Sequence, residues 1–371
     1  MRGAASPARL ASGRRCRQAG GNHRVARVAV GVDIGHQQVK LVRLVRERRA
    51  LRVEAAEQVE VPPGAVESGR IASREALREA LARASAVARR QQPRVVAGMK
   101  SPDFVVRTVR MPAMSQKELK EAVRWEMLDI LQLPAEQAEE VYVDYHVLSP
   151  PQGGSQGVVG AVAVRRGVVR EVVQLLREVG LPPEILEVNA FAVARLLPRP
   201  GRVCYVDLGA AYTELYVTTD GRYELYRLLP LGCDRLTEAI ATAFGITKEQ
   251  AESRKRQRPL GELLEEAVGR SALSGAVQTL LDALVQSLEY LRPRNPAAAG
   301  EPAVDGLLLA GGGALQQGIA QLLTEELGYP AEVMDPLTAL QLAEGPGPLV
   351  GEAGPAFAAA LGLALRGVTE P

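Results

Sequence analysis

The chain has 371 residues, 47% of them hydrophobic and only 4% aromatic, with a formal net charge of +2. That is enough chain to bury substantial cores in two or more domains. The near-neutral balance and scarce aromatics exclude a general nucleic-acid or anionic-lipid surface. No apolar run reaches the roughly 18 residues a membrane span requires.

In chain order, the first 27 residues carry seven Arg and no acid. No hydrophobic stretch follows, so this is not a secretory signal; residues 1–26 are expected to be a disordered basic tail. Residues 27–34 and 38–45 read as a β-hairpin around the segment VGVDIGHQQVK, with a third strand at 51–61 ended by Pro62-Pro63. Residues 72–91 show helical periodicity, and Val95 to Met99 a short buried strand. Strand 103–110 then leads to Ser115-Gln-Lys-Glu118, a capping box opening a helix to about Leu131. On it Leu119, Val123, Met127 and Ile130 share one face. Strands at 141–149 and 157–165 complete a small inserted β-α-β-β subdomain (101–165).

Residues 167–180 read as a helix, 184–188 as a strand and 189–197 as a helix, before a Pro-Arg-Pro-Gly break at 198–201. The pattern then restarts with strands at 203–208, 212–219 and 222–230. Helices follow at 233–245, 247–257 and about 260–291, then a Pro/Gly/Ala loop at 293–302. Strand 303–310, a GGG turn, helix 314–328, strand 331–334 and a last helix at about 354–366 close the chain. The β-β-β-α pattern thus recurs at a period of roughly 170 residues. Domain 1 comprises 27–100 and 166–200, domain 2 comprises 201–345, and the segment 346–371 returns to domain 1.

Three glycine-bearing strand ends carry the chemistry: VGVDIGHQQVK, VCYVDLGAAYT and LLLAGGGAL. The first two share an apolar run, Asp-x-Gly, then small or polar residues entering another strand. Glycine lets backbone N–H groups approach an anion closely, and an Asp at the strand end can hold a hydrated Mg²⁺. Two such loops from two halves, with a later glycine turn, suit a nucleotide clamped in a cleft. Cys16, Cys204 and Cys233 lack metal-ligand spacing, which fits a reducing cytoplasm. Positive charge comes from 39 Arg and only six Lys, so lysines such as Lys40 and Lys255 draw notice as compact point charges.

The order of these loops resembles the actin, Hsp70 and sugar-kinase superfamily, with its phosphate-1, phosphate-2 and adenosine loops. The segments MPAMSQKELKEAVRWEMLDILQLPAEQAEEVYVDYHVL, VDIGHQQVKLVRL, LTEAIATAFGITKEQAE and SLEYLRPRN resemble the type IV pilus assembly protein PilM family, from about residue 27 to 367. The resemblance implies an α/β, actin-like (ribonuclease H-like) fold of duplicated domains around a nucleotide cleft, binding ATP and Mg²⁺. Asp33 and Asp207 would face the metal through water. Gly35, His36 and Gln37 would wrap the phosphates from one side, and Gly209 and Ala210 from the other. His36 departs from the usual Ser or Thr, and Ala210-Ala211 from the usual Gly pair.

Lys40 would reach the phosphates, the other reading being an edge-strand surface lysine. Thr213 would bond the turn, or is a simple strand threonine. Gly311, Gly312 and Gly313 would pass the adenosine; Glu252 and Lys255 match an A-E-x-x-K pattern for ribose and adenine, or form an i,i+3 ion pair. Asn189, or Glu187 beside it, would position the attacking water, so hydrolysis would be slow or nil.

Implied partners are the N-terminal cytoplasmic peptide of PilN, docked between domain 1 and the insertion along Met111 to Met127 and strand 141–149, and the pilus platform and motor proteins. Homo-oligomers are an open expectation; nucleic acid is not expected, and the inner face of the membrane only through a partner. A filament-forming relative such as FtsA carries a C-terminal amphipathic helix on a linker, whereas this chain closes on LALRGVTEP. A small-molecule kinase would need a catalytic Asp or basic clamp in the cleft, and the pattern offers none.

Overall fold

The computed structural model describes residues 26–370, apart from 49, 89–91, 154, 268, 270, 293–301, 341 and 343–353. The expectations for the basic tail and for most of the 293–302 loop lie outside the described residues.

The first lobe begins with the meander β1 (Arg27–Ile34), β2 (Gln38–Glu47) and β3 (Ala50–Glu60). A two-residue-a-side hairpin follows, β4 (Val66–Glu67) and β5 (Arg70–Ile71), then α1 (Arg74–Ala84) and β6 (Arg94–Met99). The insertion contributes β7 (Val105–Met111), α2 (Gln116–Ile130), β8 (Val141–Ser149) and β9 (Gly157–Arg165). Then come α3 (Arg166–Glu178), β10 (Pro183–Val188) and α4 (Asn189–Leu196).

The second lobe restarts with β11 (Arg202–Leu208), β12 (Thr213–Thr219) and β13 (Arg222–Leu229). Helices α5 (Asp234–Phe244), α6 (Lys248–Gln257), α7 (Leu260–Glu266) and α8 (Ser271–Glu289) follow. β14 (Gly306–Ala310), α9 (Ile319–Leu327), β15 (Ala331–Val333), α10 (Pro336–Ala339) and α11 (Ala358–Thr369) finish the chain.

The two main sheets have one plan. In lobe 1 the order is β10-β6-β1-β2-β3, and in lobe 2 it is β13-β12-β11-β14-β15. Each is an antiparallel meander extended by two parallel strands on its first member. β1 is buried along Ala29–Ile34 without alternation, as a strand covered on both faces must be. The cover on one face is α11, an Ala/Gly/Leu helix buried everywhere except Arg366, Thr369 and its flanks. Its backbone lies directly on β1 and on α4: a Cβ added at Gly31 in β1 would overlap the Ala360 carbonyl oxygen, and one at Gly362 the Ala192 carbonyl oxygen in α4. Only glycine permits that separation.

The insertion forms a separate sheet, ordered β7-β9-β8, with α2 across it. Its core includes Val109, Met111, Val123, Met127 and Val159. The capping box is present: Ser115 Oγ accepts from Glu118 N, and Glu118 Oε2 accepts from Ser115 N at 2.8 Å.

Four helix expectations are corrected. The long helix at 260–291 is two, α7 and α8, broken where Gly269 takes a left-handed φ of +82°. The helix at 314–328 is a 3₁₀ turn, Gly312–Leu315, followed by α9, which starts after left-handed Gly318. Helix 72–91 stops as α1 at Ala84 and tightens to 3₁₀ over Ser85–Ala88, where Ser85 Oγ donates to Ala82 O. The last helix opens as 3₁₀ over Gly354–Phe357 and runs to Thr369. In each case apolar periodicity continues through a place where backbone geometry does not.

Candidate functional site

The two Asp-x-Gly turns are structural twins. Asp33 and Asp207 are the penultimate residues of β1 and β11. In each turn the glycine N–H closes onto a carbonyl three residues on: Gly35 N to Gln38 O, and Gly209 N to Tyr212 O, both at 3.0 Å. A Cβ would sit 2.6 Å from Gln38 O at position 35 and 2.7 Å from Tyr212 O at position 209, so both turns need glycine. They face each other across a cleft of about 410 Å³ lined from both lobes, within the usual range for a small-molecule site.

On the lobe-1 side, Asp33, Gly35, His36, Gln37 and Lys40 line the cleft. Asp33 and Lys40 are directly opposite in the β1–β2 register and both are buried, so Lys40 is no surface lysine. Burial raises the Asp33 pKa against the opposing pull of Lys40 and Lys100; burial lowers the Lys40 pKa, opposed by Asp33 and Asp207. On the lobe-2 side, Asp207, Gly209, Ala210 and Ala211 line the opposite wall, together with Glu252, Lys255 and Gly311 to Gly313. Lys255 Nζ lies 2.5 Å from Glu252 Oε2 and donates to Thr237 Oγ1 at 2.6 Å. The i,i+3 pair therefore exists and also fronts the cleft.

Three expected residues stand elsewhere. Thr213 is wholly buried behind its turn, its Oγ1 donating to Leu231 O at 2.6 Å in the β13–α5 connection, so it ties β12 to that connection and is neither a cleft residue nor a bond within the turn. Asn189 is buried under the lobe-1 loop, with Nδ2 donating to Asp33 Oδ1 at 2.6 Å; its own Oδ1 has no hydrogen-bond partner. Glu187 is engaged away from the cleft, 2.6 Å from Arg195 and 3.0 Å from Arg366.

Three residues of the candidate site escaped the sequence reading. Lys100, immediately after β6, extends from lobe 1 to place Nζ 2.6 Å from Asp207 Oδ1 and 3.9 Å from Glu214 Oε2. Burial works against its charge, but Asp207 and Glu214 outweigh that and raise its pKa. Scarcity was the available signal, since Lys100 is another of the six lysines. Glu214, opposite Asp207 in the β11–β12 register, is pushed up to about 8 by burial and accepts a hydrogen bond from Tyr226 Oη at 2.9 Å. Asp234, the first residue of α5, meets the lobe-1 loop: Gln37 Nε2 donates to its Oδ1 at 2.5 Å, and His36 Nδ1 lies 3.7 Å from Oδ2.

The arrangement fits a polyphosphate with a hydrated cation. Gly311, at φ +83°, is so close to the lobe-2 turn that a Cβ would overlap Asp207 Oδ1; at Gly209 a Cβ would meet Lys100 Nζ at 3.0 Å. Backbone is thereby brought against the charged groups with room for a ligand and none for side chains. Among the described residues no three His, Cys, Asp or Glu side chains converge as a metal cage. A Mg²⁺ here would draw ligands from water and phosphate, as that ion prefers.

A duplicated five-stranded sheet with twin Asp-x-Gly turns flanking a cleft defines an actin-like ATPase fold. Its solved structural neighbours include the ethanolamine utilization protein EutJ from Carboxydothermus hydrogenoformans (15% identity, 92% of this chain and 89% of that chain, TM-score 0.53). Another is MreB5 of Spiroplasma citri bound to AMPPNP (14%, 92% and 96%, TM-score 0.51). The "PilM-PilN type IV pilus biogenesis complex" matches at 32% identity over 92% of this chain and 99% of that chain, with a TM-score of 0.77. The family model described as type IV pilus assembly protein PilM matches residues 31–368. The chain belongs to the type IV pilus assembly protein PilM family.

Proposed function

We propose that this protein is an ATP-binding assembly adaptor that holds the N-terminal cytoplasmic peptide of PilN and links it to the pilus platform and motor. The observation that carries the nucleotide half is the pairing of Lys100, from lobe 1, with Asp207, from the lobe-2 phosphate turn. A cation and an anion from opposite lobes converge where the phosphates of a clamped nucleotide would lie. The partner half rests on the family and on the likeness to a solved complex whose name contains PilN. No described helix is long and apolar enough to cross a membrane, so attachment at the inner face of the membrane would run through the partner.

Bound Mg²⁺ would neutralise charge on the β- and γ-phosphates. The chain's own residues divide the remaining work. Asp33 and Asp207 would hold the ion's hydration shell, Lys40 and Lys100 would present ammonium groups to phosphate oxygens, and the two turns would offer backbone N–H donors. Water positioning is weak in this reading: the Asn189 amide is spent on Asp33, and Glu187 is neutralised by two arginines. Tight binding with slow hydrolysis follows.

The partner peptide would dock along α2 and β8, with Met111 and Met127 in the core beneath. Calorimetry of the full chain with the N-terminal peptide of its PilN, with and without Mg-ATP, tests the reading. Saturable binding supports it, and ATP-dependent affinity adds coupling between cleft and groove. No binding in either state, with phosphate transfer to a small-molecule panel, would replace it with a kinase.

A further inference from the structure

We infer that Asp234 is an internal clasp that holds the two lobes together across the mouth of the cleft and competes with a nucleotide's phosphates for the lobe-1 loop. This rests on the proposed nucleotide site. Asp234 takes the Gln37 amide at 2.5 Å and faces His36 Nδ1 at 3.7 Å, both residues belonging to the lobe-1 turn that would wrap the phosphates. The carboxylate thus stands where an anionic ligand would bring its own oxygens.

Its backbone is fixed to the other turn. Asp234 N donates to Ala210 O at 2.9 Å, Cys233 N donates to Gly209 O at 2.9 Å, and Gly232 is packed so tightly that a Cβ would overlap Ala210 O. The start of α5 and the lobe-2 phosphate turn therefore move as one piece. A pull on the Asp234 side chain from Gln37 brings turn against turn, and releasing it frees them together. Asp234 is partly buried, its side chain 31% exposed. Glu252 and Glu238 add negative charge around it, against His36 and Lys255. A polyphosphate arriving beside it meets a like charge and must take over its hydrogen-bond donors, so the clasp sets a threshold on nucleotide binding.

Two measurements test this on the full chain. The first is titration with a fluorescent ATP analogue in Mg²⁺. Asp234→Asn should bind about tenfold more tightly than wild type, the scale of one hydrogen bond to a charged group exchanged for a neutral one. Equal or weaker binding by a folded Asp234→Asn overturns the competition. The second needs no nucleotide. Cys233 lines the cleft behind the clasp, whereas Cys204 is fully buried in β11 and serves as an internal reference. Peptide-resolved alkylation by N-ethylmaleimide should be several-fold faster at Cys233 in Gln37→Ala than in wild type, with Cys204 unreactive in both. Gln37→Ala leaves Asp234 and the surroundings of the thiol intact, so an unchanged rate overturns the clasp. If wild type fails to bind nucleotide while Cys233 still opens in Gln37→Ala, the nucleotide reading falls and the clasp stands.

Discussion

Lys100 bridges the lobes to place its ammonium 2.6 Å from Asp207, with only 14% and 6% of the two side chains exposed. A buried pair in this geometry costs more to break than to have made, because the remaining charge loses its partner without regaining water. Lys100→Met should lower the melting temperature by roughly 4–6 °C, the equivalent of about 3–5 kcal/mol in a chain of this size. ATP affinity should fall at least about tenfold with it. Scanning calorimetry and nucleotide titration read the two effects separately; full affinity in Lys100→Met would remove the residue from the site.

Gly311 is the second point of strain. Its φ is +83°, and a Cβ would overlap both Asp207 Oδ1 and the neighbourhood of Leu208 O. Gly311→Ala should cost about 1–3 kcal/mol in backbone terms alone and displace Asp207 as well. Urea unfolding measures the first, and loss of Mg²⁺-dependent nucleotide binding the second. Gly312→Ala, where nothing crowds the added methyl and φ is not left-handed, is the contrasting substitution and should fold like wild type.

Glu214 makes stability depend on pH. Burial lifts its pKa from 4.5 in the unfolded chain to about 8, so the folded protein keeps a proton that the unfolded chain releases. Its contribution is full below about pH 4.5 and is lost progressively as pH rises to 8. Glu214→Gln keeps the shape without the titration. The difference in melting temperature, Glu214→Gln minus wild type, should grow from pH 5 to pH 8; a flat difference would refute the assignment.

The docking of α11 on β1 depends on absent side chains. Gly31→Ala forces the added methyl into the Ala360 carbonyl, and backbone cannot yield as a flexible side chain would. Expected destabilisation exceeds about 3 kcal/mol in chemical denaturation, or leaves no folded protein. Gly167→Ala, in open space at the start of α3, should be neutral or slightly stabilising in the same assay.

Trp125 is the chain's single tryptophan, on the outer face of α2 and 52% exposed. If the partner peptide docks along α2, its emission should shift to the blue and saturate at one peptide per chain. An unchanged spectrum, with binding seen by calorimetry, would move the docking surface off this helix.

Much of the plan was legible without coordinates, for reasons that particular residues show. β1 and β2 are rich in Val and Leu, β11 and β12 mix Val and Leu with Tyr, Cys and Thr, and Asp-x-Gly ends β1 and β11, so their strand character and turns are local properties of backbone and side chain. Ser115 and Glu118 cap α2 through bonds that span three residues. Where glycine alone breaks a helix, as at Gly269 and Gly318, continued apolar spacing hides the break, because φ is not written in hydrophobicity.

The sequence by itself determined the duplicated strand-turn pattern, the twin Asp-x-Gly turns, the insertion and the family, since each is carried by contiguous residues. Only the tertiary structure decided how those turns are used. It joined Lys100 to Asp207, 107 residues apart, and Gln37 to Asp234, 197 apart. It also withdrew Thr213 behind its turn and spent Asn189 on Asp33. The physical reason is that charge pairing and desolvation act through space: a side chain's partner depends on which lobes close against each other, and no local spacing encodes that distance.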